Sequence, residues 1–206
     1  MSAHGTSVGA RGKALSRAGR AIGTGAAALL AAPPLTGCAA DRGIGSVPDC
    51  ASPADPQLVL MAQAVPTAEL VPCVRGLPTG WSFSGLDVRN GQARFWLDSD
   101  RDGTHAVTVS LRRGCDTSGG TSVGSEVPAA RRYERVTRIN SGYGGLRHYV
   151  FAGGCVTYTF DLHGKTRAEP VVAVAQALGF VQRDTLRAQI ERQSDGRLHL
   201  DPEAAR

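Results

Sequence analysis

The amino-acid sequence predicts an α+β fold, an antiparallel sheet of about five to six strands with two C-terminal helices packed on one side. Runs of alternating apolar and polar residues fill the middle of the chain, and the turn sequences Asn90-Gly91 and Gly153-Gly154 each separate two of them. Helical periodicity replaces this alternation near the C-terminus. Strands that come first and helices that follow favour an antiparallel sheet covered on one face.

The first strands of the predicted sheet lie between residues 82 and 111. Residues 82–88 and 92–98 flank Asn90-Gly91, the strongest short signal for a hairpin, and are predicted to pair across it. Residues 105–111 alternate cleanly and predict a strand with one dry face. The apolar side chains that share a face within these strands are Phe95 with Leu97, and Val107 with Val109 and Leu111.

The second half of the sheet is predicted around a central hairpin. Residues 115–128 are rich in Gly, Ser and Thr and indicate a long surface loop, and residues 131–139 predict a strand with a charged face. Residues 146–151 and 155–162 flank Ala152-Gly153-Gly154 and are predicted to form the central hairpin. One face of its second strand carries Val156, Tyr158, Phe160 and Leu162.

The C-terminal region predicts two helices. Residues 170–178 form an Ala/Val helix with Pro170 in its first turn and Gly179 just past its end. Asp184 is the predicted cap of a second helix over residues 185–193. Ser194-Asp195-Gly196 then indicates a turn, and residues 197–200 are a candidate edge strand.

The first 37 residues are typical of an export signal. They hold four basic residues and no acid, followed by an apolar run that is shorter than the roughly 20 residues of a membrane-spanning helix. The run leads to Leu35-Thr36-Gly37-Cys38, which resembles the lipobox of bacterial lipoproteins. The resemblance implies cleavage before Cys38, which would then carry diacylglycerol with fatty acyl chains such as palmitate.

This resemblance implies a place and a domain organisation. The expected location is the extracytoplasmic face of the cell membrane, with a secreted protein as the alternative. Residues 1–37 are the signal peptide, residues 38–56 a flexible tether rich in Gly, Pro, Ala and Asp, and residues 57–206 a single α+β domain. The short apolar segment at residues 57–64 is compatible with a helical turn or an edge strand.

The net charge of +5 overstates the basic character of the mature chain. Removal of four of the 23 basic residues with the signal leaves 19 against 18 acids. A balance near +1 implies no basic face for nucleic acid. The composition therefore indicates no nucleic-acid partner, whereas association with the membrane through lipid is what the lipobox resemblance implies.

Five cysteines in an exported chain call for an explanation. Lipidation of Cys38 leaves Cys50, Cys73, Cys115 and Cys155, which allow three disulfide pairings. The local pairing, Cys50 with Cys73 and Cys115 with Cys155, is favoured. A zinc site is the alternative, but the cysteines form no C-x-x-C motif and no histidine pair stands near them in the sequence.

One acidic segment resembles the start of a calcium-binding loop. Asp98, Asp100 and Asp102 stand at alternate positions before Gly103, where three carboxylates could converge on a hard cation. The twelfth position of the loop is Val109, where an EF-hand has a bidentate glutamate. A polar hairpin turn whose aspartates bind their own backbone is therefore favoured.

A second motif is compatible with hydrolase chemistry. Ser122 lies in a G-x-S-x-G sequence, and Asp161 and His163 follow in the order of an α/β-hydrolase triad. That chemistry needs a sharp strand-to-helix turn at the serine, and no helix is predicted after it. The histidines, including His105 and His148, are predicted to lie on the surface.

The chain resembles in type the uncharacterised envelope lipoproteins of GC-rich bacteria. We expect a non-enzymatic module, held at the membrane by lipid and without a cofactor, that binds an envelope protein or a glycan. A small extracytoplasmic hydrolase or cell-wall-modifying enzyme is one alternative. A purely structural envelope protein is the other.

Overall fold

The computed structural model describes residues 45–52, 54–164 and 169–201. The predicted signal peptide and its Cys38 lie outside these residues. Along the described chain, the elements are α1 (Pro56–Ala64), β1 (Leu70–Val74), β2 (Trp81–Arg89), β3 (Gln92–Ser99), β4 (Gly103–Arg112), β5 (Thr121–Val123), β6 (Arg131–Arg138), β7 (Tyr143–Phe151), β8 (Gly154–Leu162), α2 (Glu169–Ala177), β9 (Leu178–Gln182) and α3 (Arg183–Gln193).

The fold is α+β, built on a seven-stranded antiparallel sheet. The spatial order of its strands is β2-β3-β4-β8-β7-β6-β5, so β8 occupies the middle as the sequence predicted. Tight turns join β2 to β3 and β7 to β8, and Gly91 takes a φ of 83° in the first of them. Strand alternation puts one apolar face of this sheet against the rest of the chain.

A single buried cluster joins that face to a second layer. The second layer consists of the three helices and a two-stranded antiparallel sheet in which β1 pairs with β9. The sheet contributes residues that sequence alternation assigned correctly to shared faces: Phe95, Leu97, Val107, Val109, Leu111, Val156, Tyr158, Phe160 and Leu162. The helices contribute, among others, Leu58, Met61, Val174, Leu186 and Ile190.

The strand count differs from the predicted five to six. The additional strand of the large sheet is β5, which lies inside the segment predicted to be a loop and pairs with β6. The small sheet was also missed, because Pro72 argues against a strand and the β9 segment continues an apolar helix pattern. In the fold, Pro72 faces Phe180 in an isolated two-stranded pair, where a missing amide is tolerated.

The helices also differ from expectation in number and in their ends. The segment left open between helix and strand is the helix α1, where Asp55 caps the N-terminus by accepting from the amide of Gln57 at 2.7 Å. Gly179 belongs to β9 and does not cap α2. Asp184 lies inside the first turn of α3 and pairs with Arg187, so it is not the cap. Residues 197–200 form no strand.

The part of the predicted tether that the structure describes is bound to the domain. The Val74 amide donates to the carbonyl of Pro48 at 2.7 Å, and the Cys50 amide donates to the carbonyl of Val74 at 3.0 Å. A disulfide joins Cys50 to Cys73 in β1. Residues 48–50 are therefore part of the fold, which begins before residue 57.

The structure contains the two disulfides that the favoured pairing specified. Besides Cys50–Cys73, a second bond joins Cys115 to Cys155. Disulfide bonds are consistent with an oxidising, extracytoplasmic compartment. Within the described ranges, none of the three helices is long and apolar enough to cross a membrane.

Candidate functional site

A cleft of about 560 Å³ lies where the β6–β7 side of the large sheet meets α2 and β9. Apolar and polar side chains both line it. Its walls come from four places: the loop before β6, the strands β6 to β8, the helix α2 and the small sheet. A concave site with apolar surface and a few convergent polar groups is the usual form of a ligand pocket.

Three aromatic rings form the floor of this cleft. Tyr149 and Tyr158 occupy neighbouring strands on the core face, with ring centroids 5.2 Å apart. Phe180 of β9 packs against both rings, at 5.2 Å from Tyr149 and 6.3 Å from Tyr158. Val172 of α2 lies at the cleft and is 55% exposed. Tyr149 and Tyr158 are each only 1% exposed beneath Phe180, so the half-buried Phe180 and the exposed Val172 are the apolar surfaces open to an entering molecule.

Charged side chains form one wall of the cleft, beside the aromatic floor. Oε1 of Glu134 in β6 forms ion pairs with two arginines, at 2.7 Å from Nε of Arg147 and 3.5 Å from Nε of Arg132. Arg132 also pairs with Glu126, which accepts a hydrogen bond from the phenol of Tyr149 at 2.5 Å. Arg132, Glu134 and Arg147 stand on the same sheet face as the core residue Tyr149. The ion pairs with glutamates explain how arginine side chains are tolerated at strand positions that face the core.

Burial and pairing set the protonation states of this wall. Burial raises the pKa of Tyr149 to about 12, and its bond to Glu126 acts in the same direction. Burial opposes ionisation of Glu126, but the hydrogen bond from Tyr149 and the charge of Arg132 leave the pKa of that carboxyl lowered. Burial would lower the pKa of Arg147, yet Tyr149 and Glu134 leave it raised. At neutral pH, the cleft therefore holds charged arginines, a carboxylate and neutral phenols.

The cleft carries an excess of positive charge. Arg75, Arg132 and Arg147 line it together with one acid, Glu126. Even with Glu134 included, one positive charge remains uncompensated. Arg75 is exposed and forms no hydrogen bond or ion pair through its guanidinium with another side chain in the described part of the chain. An exposed guanidinium beside an aromatic floor suits a carboxylate, phosphate or sulfonate.

Two of the three aspartates of the candidate calcium loop, Asp98 and Asp102, accept hydrogen bonds at the β3–β4 turn. Asp102 is 2% exposed, and its carboxylate accepts from the Ser99 hydroxyl at 3.1 Å and from the amide of Gly164 at 2.9 Å. Asp98 accepts from the amide of His105 at 2.7 Å. This arrangement matches the polar turn that sequence reasoning favoured.

The serine of the candidate hydrolase triad lies on a different strand from the segment that holds the other two residues. Ser122 faces Tyr133 in the β5–β6 ladder, whereas Asp161 and His163 lie near the end of β8 and pair with each other at 3.4 Å. The side chain of Asp161 also binds Arg138 at 2.7 Å. No hydrogen bond joins Ser122 to a histidine within the residues that the structure describes. The sequence motif is therefore a strand edge and not a nucleophile elbow.

His148 departs from the surface position predicted for it. It is 6% exposed and lies on the outer face of the large sheet, where its Nδ1 is 2.8 Å from the hydroxyl of Thr157. Burial lowers the pKa of His148, although Asp116 acts in the opposite direction. The sulfur atoms of Cys115 and Cys155 lie close to this ring. No sequence spacing could indicate this, because strand register alone brings the residues together.

No protein-family model matches the chain, and no curated protein matches it. A solved structure from Bacteroides thetaiotaomicron VPI-5482, determined at 1.50 Å resolution, is similar at 10% sequence identity with a TM-score of 0.30. The match covers 56% of this chain and 46% of that chain, so it spans about half of the length of the solved structure.

Proposed function

We propose that the protein is a lipid-anchored module of the cell envelope that binds an amphipathic anion in the cleft above Tyr149 and Tyr158. The ligand would place an apolar or aromatic part on Phe180 and Val172 and an acidic group at Arg75. Envelope proteins and glycans with acidic groups are the partners that this chemistry admits.

The observation that carries the proposal is the juxtaposition of Phe180 with Arg75 at one opening. Phe180 is half-buried and stacks on Tyr158, while Arg75 is exposed in the same cleft. An arginine paired inside the protein is already satisfied, whereas Arg75 keeps its hydrogen-bond donors available in the described part of the chain. The cleft thus offers apolar contact and a cation to one small molecule.

Binding suits these residues better than proton transfer. A general acid or base works best with a pKa near the ambient pH. The pKa of Tyr149 is about 12, and those of Tyr158 and Arg147 are also raised. Groups that keep one protonation state between pH 5 and 9 can hold and orient a ligand but cannot exchange protons readily.

The anchor rests on the sequence. The lipobox-like Leu35-Thr36-Gly37-Cys38 would give Cys38 two or more acyl chains, and two chains hold a protein at a membrane stably where one does not. The two disulfides are consistent with this extracytoplasmic location.

A pair of fluorescent probes tests the ligand class. Anilinonaphthalene sulfonate carries an aromatic body and an anion, and N-phenylnaphthylamine has the same body without the charge. In a chain that begins at residue 39, just after the lipidated cysteine, we expect Arg75→Gln to weaken sulfonate binding about five-fold, because an exposed ion pair contributes up to ~1 kcal/mol. Binding of the neutral probe should not change.

Two further variants locate the probe. Ala175→Trp places a large ring in the cleft from α2 and should abolish binding of both probes. Arg101→Gln removes an exposed arginine from the β3–β4 turn and serves as the matched control with unchanged affinity. Sulfonate binding that survives Ala175→Trp in a protein with native near-ultraviolet circular dichroism would contradict the proposal.

Cell fractionation tests the anchor separately. Cys38→Ala removes the thiol that the lipid would modify, so we expect the variant to be absent from the membrane fraction. The wild-type protein should remain in that fraction and carry the added mass of the acyl chains. An unmodified Cys38 in intact-mass analysis of the native protein would refute the anchor and leave the cleft proposal standing.

A further inference from the structure

Two sulfur atoms and one imidazole converge on the outer face of the large sheet, away from the cleft. His148 of β7 pairs with Thr157 of β8, and Cys155 lies two residues before Thr157 on the same face. Diagonal neighbours across two strands are close enough for their side chains to meet. Cys115 reaches this point from the irregular segment that follows β4.

The donor atoms of this group are close together. One nitrogen of His148 and the sulfur atoms of Cys115 and Cys155 all lie within 4.8 Å of one another. The Thr157 hydroxyl lies 2.8 Å from His148 Nδ1 and 3.2 Å from Cys115 Sγ. His148 and Cys155 are buried, at 6% and 0% exposure, but neither belongs to the apolar core. A small pocket of about 240 Å³, lined also by Asp116, opens onto the group.

We propose that reduction of the Cys115–Cys155 disulfide converts this group into a zinc site with two thiolate ligands and one imidazole ligand. Zinc prefers four tetrahedral ligands of this type, with Zn–S near ~2.3 Å and Zn–N near ~2.0 Å. The fourth position would hold water or the carboxylate of Asp116. The proposal is independent of the cleft, which lies on the opposite face of the sheet.

A dithiol reductant supplies the electrons and protons for the conversion from disulfide to zinc site. The dithiol transfers two electrons and two protons to the Cys115–Cys155 bond, which breaks to give two thiols while the reductant closes its own disulfide. Zinc then displaces one proton from each thiol, and the two thiolates become its ligands. In reverse, a small-molecule disulfide accepts two electrons from the thiolates and two protons from solvent, leaving as two thiols, while the protein disulfide reforms and the ion is released.

The polypeptide geometry allows both the disulfide-bonded and the zinc-bound form of this group. His148 and Cys155 are held by adjacent paired strands, so two ligands keep their places. Cys115 lies outside regular structure, and a shift of its segment can open the two sulfur atoms to the roughly 3.8 Å that two Zn–S bonds at tetrahedral angles require. Thr157 can hold the Nδ1 side of the ring, as outer-shell partners of zinc-bound histidines do.

The other disulfide supplies an internal control. Within the described residues, Cys50 and Cys73 belong to no group of metal-ligating side chains. Reduction exposes both pairs of thiols to the same conditions. A metal effect confined to Cys115 and Cys155 is therefore specific to the site.

Alkylation protection tests the proposal with the full-length protein in a nonionic detergent. The protein is reduced without oxygen, incubated with or without one equivalent of zinc, treated with iodoacetamide and mapped by peptide mass analysis. We expect zinc to slow alkylation of Cys115 and Cys155 at least tenfold and to leave Cys50 and Cys73 unchanged. Equal alkylation with and without zinc at Cys115 and Cys155 would overturn the proposal.

Cobalt reports the ligand set directly. The reduced protein should bind one cobalt ion with a sulfur-to-metal charge-transfer band that disappears on oxidation. His148→Ala should weaken metal binding by more than about tenfold, since even loss of an outer-shell partner costs that much. Unchanged affinity in a folded His148→Ala protein would exclude the imidazole. If that variant does not fold, the alkylation pattern of the wild type still decides whether the metal binds at Cys115 and Cys155.

Discussion

The phenol of Tyr149 donates a 2.5 Å hydrogen bond to Oε1 of Glu126. This contact joins β7 to the loop that precedes β6, and both residues line the cleft. Arg132 pairs with the other carboxylate oxygen of Glu126, so the loop is held by two partners from two strands. The shape of the cleft wall therefore depends on a charge-assisted hydrogen bond at a position that alternation alone would assign to the apolar core.

Removal of this phenol is expected to destabilise the fold without disturbing its packing. Tyr149→Phe keeps the ring contacts and leaves Glu126 with Arg132 alone. Hydrogen bonds to charged groups contribute about 1.5–3 kcal/mol, so we expect the free energy of unfolding in urea to fall by about 2 kcal/mol. Tyr133→Phe, on the outer face of the neighbouring strand, should have little effect and is the control. Equal losses in the two variants would contradict the role of the bond.

The same phenol predicts a loss of stability at high pH. The pKa of Tyr149 is near 10 in the unfolded chain and about 12 in the fold. A raised folded pKa gives stability that is complete below pH 10 and is lost as the pH rises to 12. A difference of two in the pKa of Tyr149 corresponds to at most roughly 3 kcal/mol in the free energy of unfolding. The difference in unfolding free energy between wild type and Tyr149→Phe should therefore shrink across this window, and a constant difference would refute the prediction.

A glycine at the central hairpin is expected to be indispensable. Gly153 has a φ of 69°, and a Cβ atom there would lie 1.6 Å from the carbonyl oxygen of Thr67. The Thr67 hydroxyl in turn donates to the carbonyl of Gly153 at 2.6 Å. Gly153→Ala should thus lower the melting temperature strongly, because the β7–β8 turn must move away from the segment before β1.

The matched control for this substitution is Gly91→Ala. Gly91 has a similar φ of 83°, but no atom lies within 4 Å of an added Cβ. The control should cost about 1 kcal/mol, the strain of a left-handed backbone alone. Thermal unfolding of the two variants separates the two effects, and equal shifts would show that the close approach to Thr67 is unimportant.

One buried guanidinium is expected to hold three parts of the chain together. Arg183 is 5% exposed and donates to the carbonyl of Ala62 at 2.6 Å and to that of Asp201 at 2.9 Å. The Ala62 carbonyl belongs to the last turn of α1, which has no helical partner for such groups. Arg183→Met should cost about 2–3 kcal/mol by leaving these carbonyls without a donor.

Arg187→Met provides the comparison for this loss. Arg187 pairs with Asp184, which is 85% exposed, and such surface pairs contribute little. We expect a change within about 0.5 kcal/mol in chemical unfolding. If Arg187→Met lowered the free energy of unfolding as much as Arg183→Met, the loss of a positive charge would explain both effects, and the buried contacts of Arg183 would be unimportant.

Much of the large sheet could be predicted because its signals are local. Alternation fixes which side chains share a face, and Asn90-Gly91 and Gly153-Gly154 mark turns that few other residues accommodate. The strands β1 and β9 escaped prediction because each is stable only through the other. Leu70 and its partner Gln182 are far apart in the sequence, and no short-range pattern records their pairing.

The candidate sites were less accessible to sequence reasoning. The cleft depends on Arg147 and Tyr149 standing beside Phe180, which arrives from a different layer. His148 reached the cysteines through strand register, although its sequence neighbours suggested an exposed position. The motifs around Ser122 and Asp98, by contrast, were conspicuous in the sequence and were placed in strand-edge and turn roles.

The sequence by itself determined the α+β class, the shared faces of the strands, the favoured disulfide pairing and the expectation of a lipid at Cys38. The class and the faces follow from periodicity and turn chemistry, the pairing from closeness in the sequence, and the lipid from the resemblance of Leu35-Thr36-Gly37-Cys38 to a lipobox. Only the tertiary structure decided that the seventh strand and the small sheet form, that the cleft exists and that His148 lies beside the Cys115–Cys155 bond. Those features depend on contacts between distant segments, whose free energy appears only when the whole chain has folded.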